Sequence, residues 1–224
     1  MGERSWDRAR WLWWLALAGG ISFFVAVFQH WEGPAIIAWK GSGVTLLALW
    51  AAANARGLYG WLITLVLALG ALGDVLLETS GMIPGAVAFL AGHVVAIFIY
   101  LRHYRPKSSI SQRLLVALTV PASVLIACSL MPASERIGIA TYTLFVSAMA
   151  ASAWGSQFSR YRVGIGAMMF LASDLFIFAG EGGSLSRDVT MWLIWPLYFA
   201  GQALIAWGVV GSLSVTARGA QAAA

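Results

Sequence analysis

Apolar residues run through this chain in long blocks, each closed by charged or turn-forming residues. Eight blocks have the length and uniformity of buried helices: 11–28, 34–53, 58–77, 84–101, 113–131, 137–154, 162–180 and 190–212. A helix crosses the hydrocarbon core in roughly 20 residues, so eight blocks occupy about 160 residues and leave about 60 for tails and loops. The expected fold is an all-α integral membrane protein: one transmembrane domain over 1–224, eight helices and no soluble domain. The first block follows Arg4, Arg8 and Arg10. It is too long for a signal-peptide core and lacks a small-x-small cleavage site, so it counts as a helix.

Composition and charge sharpen this picture. The chain is 60% hydrophobic and 10% charged, against about 25% charged in soluble domains, which excludes a soluble monomer. Cys128 is the single cysteine, so neither a disulfide framework nor a cysteine zinc site is available. The net charge of +5 matters less than its placement, and no nucleic-acid partner is expected. With the N-terminus in the cytoplasm, eleven of the fourteen basic residues fall on the inner side: Arg4, Arg8, Arg10, Arg56, Arg102, Arg105, Lys107, Arg113, Arg160, Arg162 and Arg218. Only Lys40, Arg136 and Arg187 lie elsewhere. Both termini are therefore expected in the cytoplasm, in a plasma membrane of bacterial inner-membrane type. Seven of the nine acidic residues, Glu32, Asp74, Glu78, Glu135, Asp174, Glu181 and Asp188, lie within helices or towards the outer side.

Tryptophans fit the same frame. Trp11, Trp13, Trp14, Trp61 and Trp154 are expected as anchors near the inner boundary, and Trp31, Trp39, Trp192 and Trp195 near the outer one. Gly70, Gly73, Gly201 and Gly208 are expected to let helices approach closely. A faint internal repeat pairs Gly73-Asp74-Val75-Leu76-Leu77 with Ser173-Asp174-Leu175-Phe176-Ile177, one hundred residues later. Four helices separate the copies, giving a possible 4+4 pseudo-repeat that matches Lys40 with Tyr142 and His93 with Tyr198.

The ionisable residues inside helices carry the functional signal. At about 2.5 to 3.5 kcal/mol each, Lys40, Asp74 and Asp174 represent about 8 to 10 kcal/mol of insertion penalty unless paired. By helical rise, Lys40, Asp74, His93, Tyr142, Asp174, Tyr198 and Gln202 can all meet between the midplane and the outer surface. Glu78 follows Asp74 by one turn and Gln202 follows Tyr198 by one turn, so each pair shares a helix face. Every residue also has a plainer reading: Lys40 snorkels beside Trp39 or pairs with an aspartate, Glu78 is an exposed helix end, His93 is a satisfied interior histidine, and Tyr142, Tyr198 and Gln202 bridge helices.

Taken in order, these segments resemble the YhhN family of integral-membrane lysoplasmalogenases. The resemblance is carried by Ala71-Leu72-Gly73-Asp74-Val75-Leu76-Leu77 with Ala88-Phe89-Leu90-Ala91-Gly92-His93, by Gly166-Ala167-Met168-Met169-Phe170-Leu171-Ala172-Ser173-Asp174, and by Tyr198-Phe199-Ala200-Gly201-Gln202-Ala203-Leu204-Ile205. The likeness runs from Lys40 to about Ile205. Two positions depart from it: Gly41 follows Lys40 where the family usually has proline, and Phe199 replaces the second of two paired tyrosines.

The resemblance implies hydrolysis of the vinyl ether bond of a lysoplasmalogen, with release of a fatty aldehyde and glycerophosphoethanolamine or glycerophosphocholine. Protonation of the outer alkene carbon creates an oxocarbenium ion, to which water adds. The reaction needs an acid that keeps its proton at neutral pH, a state that an apolar chamber favours for a carboxylic acid. It also needs an ionised carboxylate beside the cation, a division of labour shared with glycosidases. Asp74 and Asp174 are the expected catalytic pair, with Lys40 near one of them holding that one ionised. Lys40 would also meet the phosphate, and Glu78, His93, Tyr142, Tyr198 and Gln202 would complete the substrate and water contacts. The expected partners are a lysophospholipid from the bilayer, water and membrane lipids. No cofactor or metal is expected.

The same residues also fit other classes of protein. Intramembrane Asp, Lys and His also mark a proton-coupled lipid or small-molecule transporter, although Pro121 and Pro196 are isolated rather than paired helix breaks. A metal-dependent hydrolase would use Asp74, Glu78, His93 and Asp174 as hard ligands. A purely structural subunit leaves the intramembrane carboxylates without a purpose. The charge asymmetry predicts that a reporter active only in the cytoplasm, fused after Ala224, is active; activity only of an externally folding reporter overturns the orientation.

Overall fold

The computed structural model describes residues 9–222, so Arg4 and Arg8 lie outside the described residues. Eight helices follow one another: α1 (Arg10–Phe28), α2 (Pro34–Ala53), α3 (Gly57–Thr79), α4 (Met82–Arg102), α5 (Ile110–Leu130), α6 (Arg136–Gly155), α7 (Ile165–Glu181) and α8 (Arg187–Ala222). All eight are long and apolar enough to cross a membrane, α7 together with the residues 160–164 that precede it.

The element boundaries depart from the hydropathy pattern where local chemistry intervenes. Helix α5 starts three residues earlier than expected because Ser109 and Gln112 form a capping box that satisfies the first turn. A π-helical turn, Arg160–Gly164, precedes α7. Helix α8 runs ten residues past the expected end at 212. There Ser212 donates to the Gly208 carbonyl at 2.7 Å and Thr216 to the Ser212 carbonyl at 3.2 Å, so these hydroxyls are absorbed by the helix backbone.

Five helices close a ring: α3 packs on α4, α4 on α6, α6 on α7, α7 on α8, and α8 back on α3. Among the described residues no two helices across this ring approach each other closely. Helices α1 and α2 back the ring at α8 and α3, and α5 covers α6 and α7 from outside. Within each half of the chain the first two helices pack together, as do the last two. The halves join unequally, because α8 reaches α1, α2 and α3 whereas α4 reaches only α6 of the second half.

Apolar burial gives little net drive between helices that are already in lipid, so close packing of small residues has to hold them. Ala16, Ala51, Ala150, Ala153, Ala167 and Ala206 are fully buried. Helices α7 and α8 cross closely, and a Cβ at Gly201 would stand 2.6 Å from the Gly166 carbonyl oxygen. The tryptophans divide. Trp11, Trp14, Trp31, Trp61 and Trp192 are exposed, as interfacial anchors should be, but Trp13 and Trp195 are each only 5% exposed. Trp13 packs on Trp50 and Trp207 at 4.8 and 4.7 Å, and Trp195 donates to the Gly20 carbonyl at 2.8 Å. These two rings are core residues rather than belt residues.

One end of the bundle is tied together by side-chain hydrogen bonds. Arg105, after α4, donates to the carbonyls of Ser156, Gln157 and Phe158 in the α6–α7 connection. The His103 ring lies against Tyr59 and Phe158. At the opposite end the α3–α4 turn passes through Gly81 at φ 94°, a conformation that glycine adopts without strain. Gly201→Ala is expected to lower stability in detergent by about 1–3 kcal/mol through overpacking. Gly138→Ala, whose Cβ would meet nothing within 4 Å, is expected to be neutral or stabilising by thermal unfolding.

Candidate active site

Each helix of the five-membered ring sends a polar side chain to one level of its interior. Asp74 comes from α3, His93 from α4, Tyr142 from α6, Asp174 from α7 and Tyr198 from α8. Asp74, His93, Asp174, Tyr198 and Gln202 are all buried. Their meeting follows from antiparallel packing. Asp74 sits a turn from the end of α3 and Asp174 about two turns from the end of α7, while His93, Tyr142 and Tyr198 lie partway along the helices that run back.

The two carboxyl groups are held in the same way. Tyr198 donates to Asp74 Oδ2 and Tyr142 to Asp174 Oδ2, both at 2.8 Å. Oδ1 of Asp174 has only a 3.4 Å contact with Ser173, whose hydroxyl proton is committed to the Phe170 carbonyl at 2.7 Å. Among the described residues no hydrogen bond reaches Oδ1 of Asp74. Each aspartate is thus anchored through one oxygen and leaves the other for a further partner. His93 Nε2 lies 3.4 Å from the Tyr142 hydroxyl. Because that tyrosine donates its proton to Asp174, His93 must donate to it, which requires the Nε2–H tautomer. Gln202, one turn along α8, is buried on the same helix face as Tyr198.

Between the two aspartate–tyrosine pairs stand aromatic rings. Phe89 and Phe170 lie edge-on to each other at 5.9 Å, and both contact Tyr198. Phe170 also meets the His93 ring at 5.1 Å. This packing leaves a cavity of about 20 Å3, room for a water molecule and not for an acyl chain.

Lys40 has its ion-pair partner at the rim. Its ammonium pairs with Glu78 at 2.6 Å rather than with either aspartate. The two side chains are 20% and 44% exposed, so they form a charged rim one turn beyond Asp74. Helix α2 passes through Lys40 without a break, and a Cβ at Gly41 would stand 3.1 Å from Val75 of α3. Phe199 faces away from the ring, inserted between Gly20 of α1 and Gly43 of α2. The departure from paired tyrosines is therefore a packing change outside the chamber.

A sequence model of the YhhN family matches residues 35–209, which takes in every residue of the ring interior and the rim. The chain belongs to the YhhN family. Membership suggests a lysoplasmalogenase-like role, and the family is associated with hydrolase activity. No curated protein and no solved structure matches the chain. Within this YhhN chain, among the described residues, no three His, Cys, Asp or Glu side chains come together as metal ligands, so the hard-ligand reading of Asp74, Glu78, His93 and Asp174 has no geometry behind it.

The sequence reading missed the aromatic filling of the chamber by Phe89 and Phe170, and it missed Tyr100. Tyr100 is fully buried, lines the cavity, and its hydroxyl has no partner among the described residues. A signal was present: Tyr100 follows His93 by seven residues, two turns on the same face of α4. Double-mutant cycles on thermal unfolding should show coupling of about 0.5–3 kcal/mol for Tyr198→Phe with Asp74→Asn and for Tyr142→Phe with Asp174→Asn. The crossed combination, Tyr142→Phe with Asp74→Asn, should be additive to within about 0.5 kcal/mol.

Proposed function

We propose that this YhhN protein hydrolyses the vinyl ether bond of a 1-alkenyl lysophospholipid with an ethanolamine or choline head group. The observation that carries this reading is the pair of buried carboxyl groups at one level of the ring, each fixed by a tyrosine and each with a second oxygen free of strong partners. That constellation suits a reaction passing through an oxocarbenium ion, which calls for one proton donor and one anion.

In the proposed reaction the alkene π pair takes a proton from one carboxylic acid, forming a C–H bond at the outer carbon and a cation delocalised onto the ether oxygen. The second carboxylate faces that cation and stabilises it. A water oxygen then bonds to the cationic carbon and gives its proton to the carboxylate that acted as acid. The hemiacetal collapses by breaking the carbon–oxygen bond to glycerol, whose oxygen leaves with the hydroxyl proton. The products are one fatty aldehyde and one glycerophosphodiester, and the protein returns to its starting protonation state.

Roles follow from position. Asp74 shares α3 with the rim glutamate and lies one turn from the Lys40–Glu78 pair, which suits it to remain the anion. Asp174 has hydroxyl partners and, among the described residues, no cation paired with it, which suits it to carry the proton, with Tyr142 and His93 as the route for its replacement. Lys40 at the rim takes the phosphate as a point charge while Glu78 keeps it extended. The alkenyl group reaches the carboxyl groups by displacing the Phe89 or Phe170 ring.

Purified protein in detergent is expected to release aldehyde from a 1-alkenyl lysophospholipid and nothing from its 1-acyl counterpart. Asp74→Asn and Asp174→Asn should each lower kcat by about 100-fold or more, the scale of removing a general acid, while both remain folded. Substantial turnover in both variants would sink the assignment. Lys40→Met should raise KM with a smaller change in kcat, as expected for a contact made equally in ground and transition states.

A further inference from the structure

The small cavity has a definite place relative to the carboxyl groups. Counting along the helices, Gly70 and Val66 lie one and two turns from Asp74 towards the Arg56 end of α3, and Tyr100 lies two turns from His93 towards the Arg102 end of α4. Met149 is displaced the same way from Tyr142, Phe170 from Asp174, and Gln202 and Ile205 from Tyr198. All five ring helices line it. With Phe89, Gly92 and His93 also in its lining, it reaches from the aspartate–tyrosine level away from the Lys40–Glu78 rim.

Its volume, about 20 Å3, admits one water molecule. Water stays in such a space only where polar groups hold it, two to four of them as a rule. Three polar side chains line this one: His93, Gln202 and Tyr100. The Tyr100 hydroxyl is the decisive one, because Tyr100 is 0% exposed and its oxygen has no protein partner among the described residues. A buried hydroxyl left so is destabilising unless a water satisfies it.

We propose that this cavity is a hydration site held by Tyr100, His93 and Gln202, and that its water is the one that attacks the oxocarbenium carbon in the reaction proposed above. The site is then two-sided, with lipid arriving from the charged rim and water waiting beneath the carboxyl groups. Tyr100 is a positioning residue for that water. The step adds the water oxygen to the cationic carbon and passes one of its protons to the carboxylate that served as acid, with no further reactant.

The test is Tyr100→Phe, with Ala96→Val as a second variant that fills the cavity by volume alone. A crystal structure of the wild type at a resolution that shows ordered water should place one within hydrogen-bonding reach of the Tyr100 hydroxyl, and the Tyr100→Phe structure should lack it. The kcat for aldehyde release should fall about tenfold, the worth of one buried hydrogen bond, with KM unchanged. Ala96→Val should lower kcat likewise, and Tyr100→Phe should not raise the Tm. A merely orphaned hydroxyl gives the opposite pattern: a dry cavity, a higher Tm on its removal and full kcat. Full kcat in Tyr100→Phe overturns the inference whatever the cavity holds. An ordered water in a protein that releases no aldehyde from any vinyl ether would instead overturn the reaction and leave the hydration site standing.

Discussion

Two carboxyl groups inside apolar helices impose the organising constraint on this molecule. Neither can be left alone in a medium without water, and here each is met by a tyrosine hydroxyl from another helix, Tyr198 for Asp74 and Tyr142 for Asp174. One bond ties α3 to α8 and the other ties α6 to α7, so they also fix which helices are neighbours in the ring. Glycine at Gly70 is part of the same arrangement, since a Cβ there would stand 2.8 Å from the Gln202 amide. The chamber and the helix packing are thus one solution to one electrostatic problem.

Much of this is written in the pattern of the chain. Eight helices and their approximate limits follow from hydropathy, because in lipid the backbone must satisfy itself and the helix is the only local way to do so. Asp74 and Asp174 announce themselves by cost. Their tyrosines are less obvious, since Tyr142 and Tyr198 are ordinary in composition and gain meaning only when an aspartate lies opposite. The shared level was still legible, because helical rise converts residue number into depth.

Partner choice was the part that depth alone could not supply. Lys40 and Asp74 have similar heights, yet Lys40 pairs with Glu78. Rotation about the helix axis decides that, and hydropathy in an all-apolar helix scarcely encodes rotation. The same ambiguity explains the tryptophans. Trp13 and Trp14 are adjacent in sequence and at nearly one depth, but one is packed on Trp50 and Trp207 and the other faces outward. Helix α8 continues past 212, and there Ser212 and Thr216 turn their hydroxyls onto their own helix.

The clamp of Arg105 on the Ser156–Phe158 carbonyls has a further consequence for traffic. With that end fastened, the Lys40–Glu78 rim is the charged side of the chamber. In the proposed reaction the two fragments part company there: the long-chain fragment slips sideways into the bilayer and the charged fragment diffuses into water. Dilution into two immiscible phases then makes each turnover a one-way event, without any need for a gate.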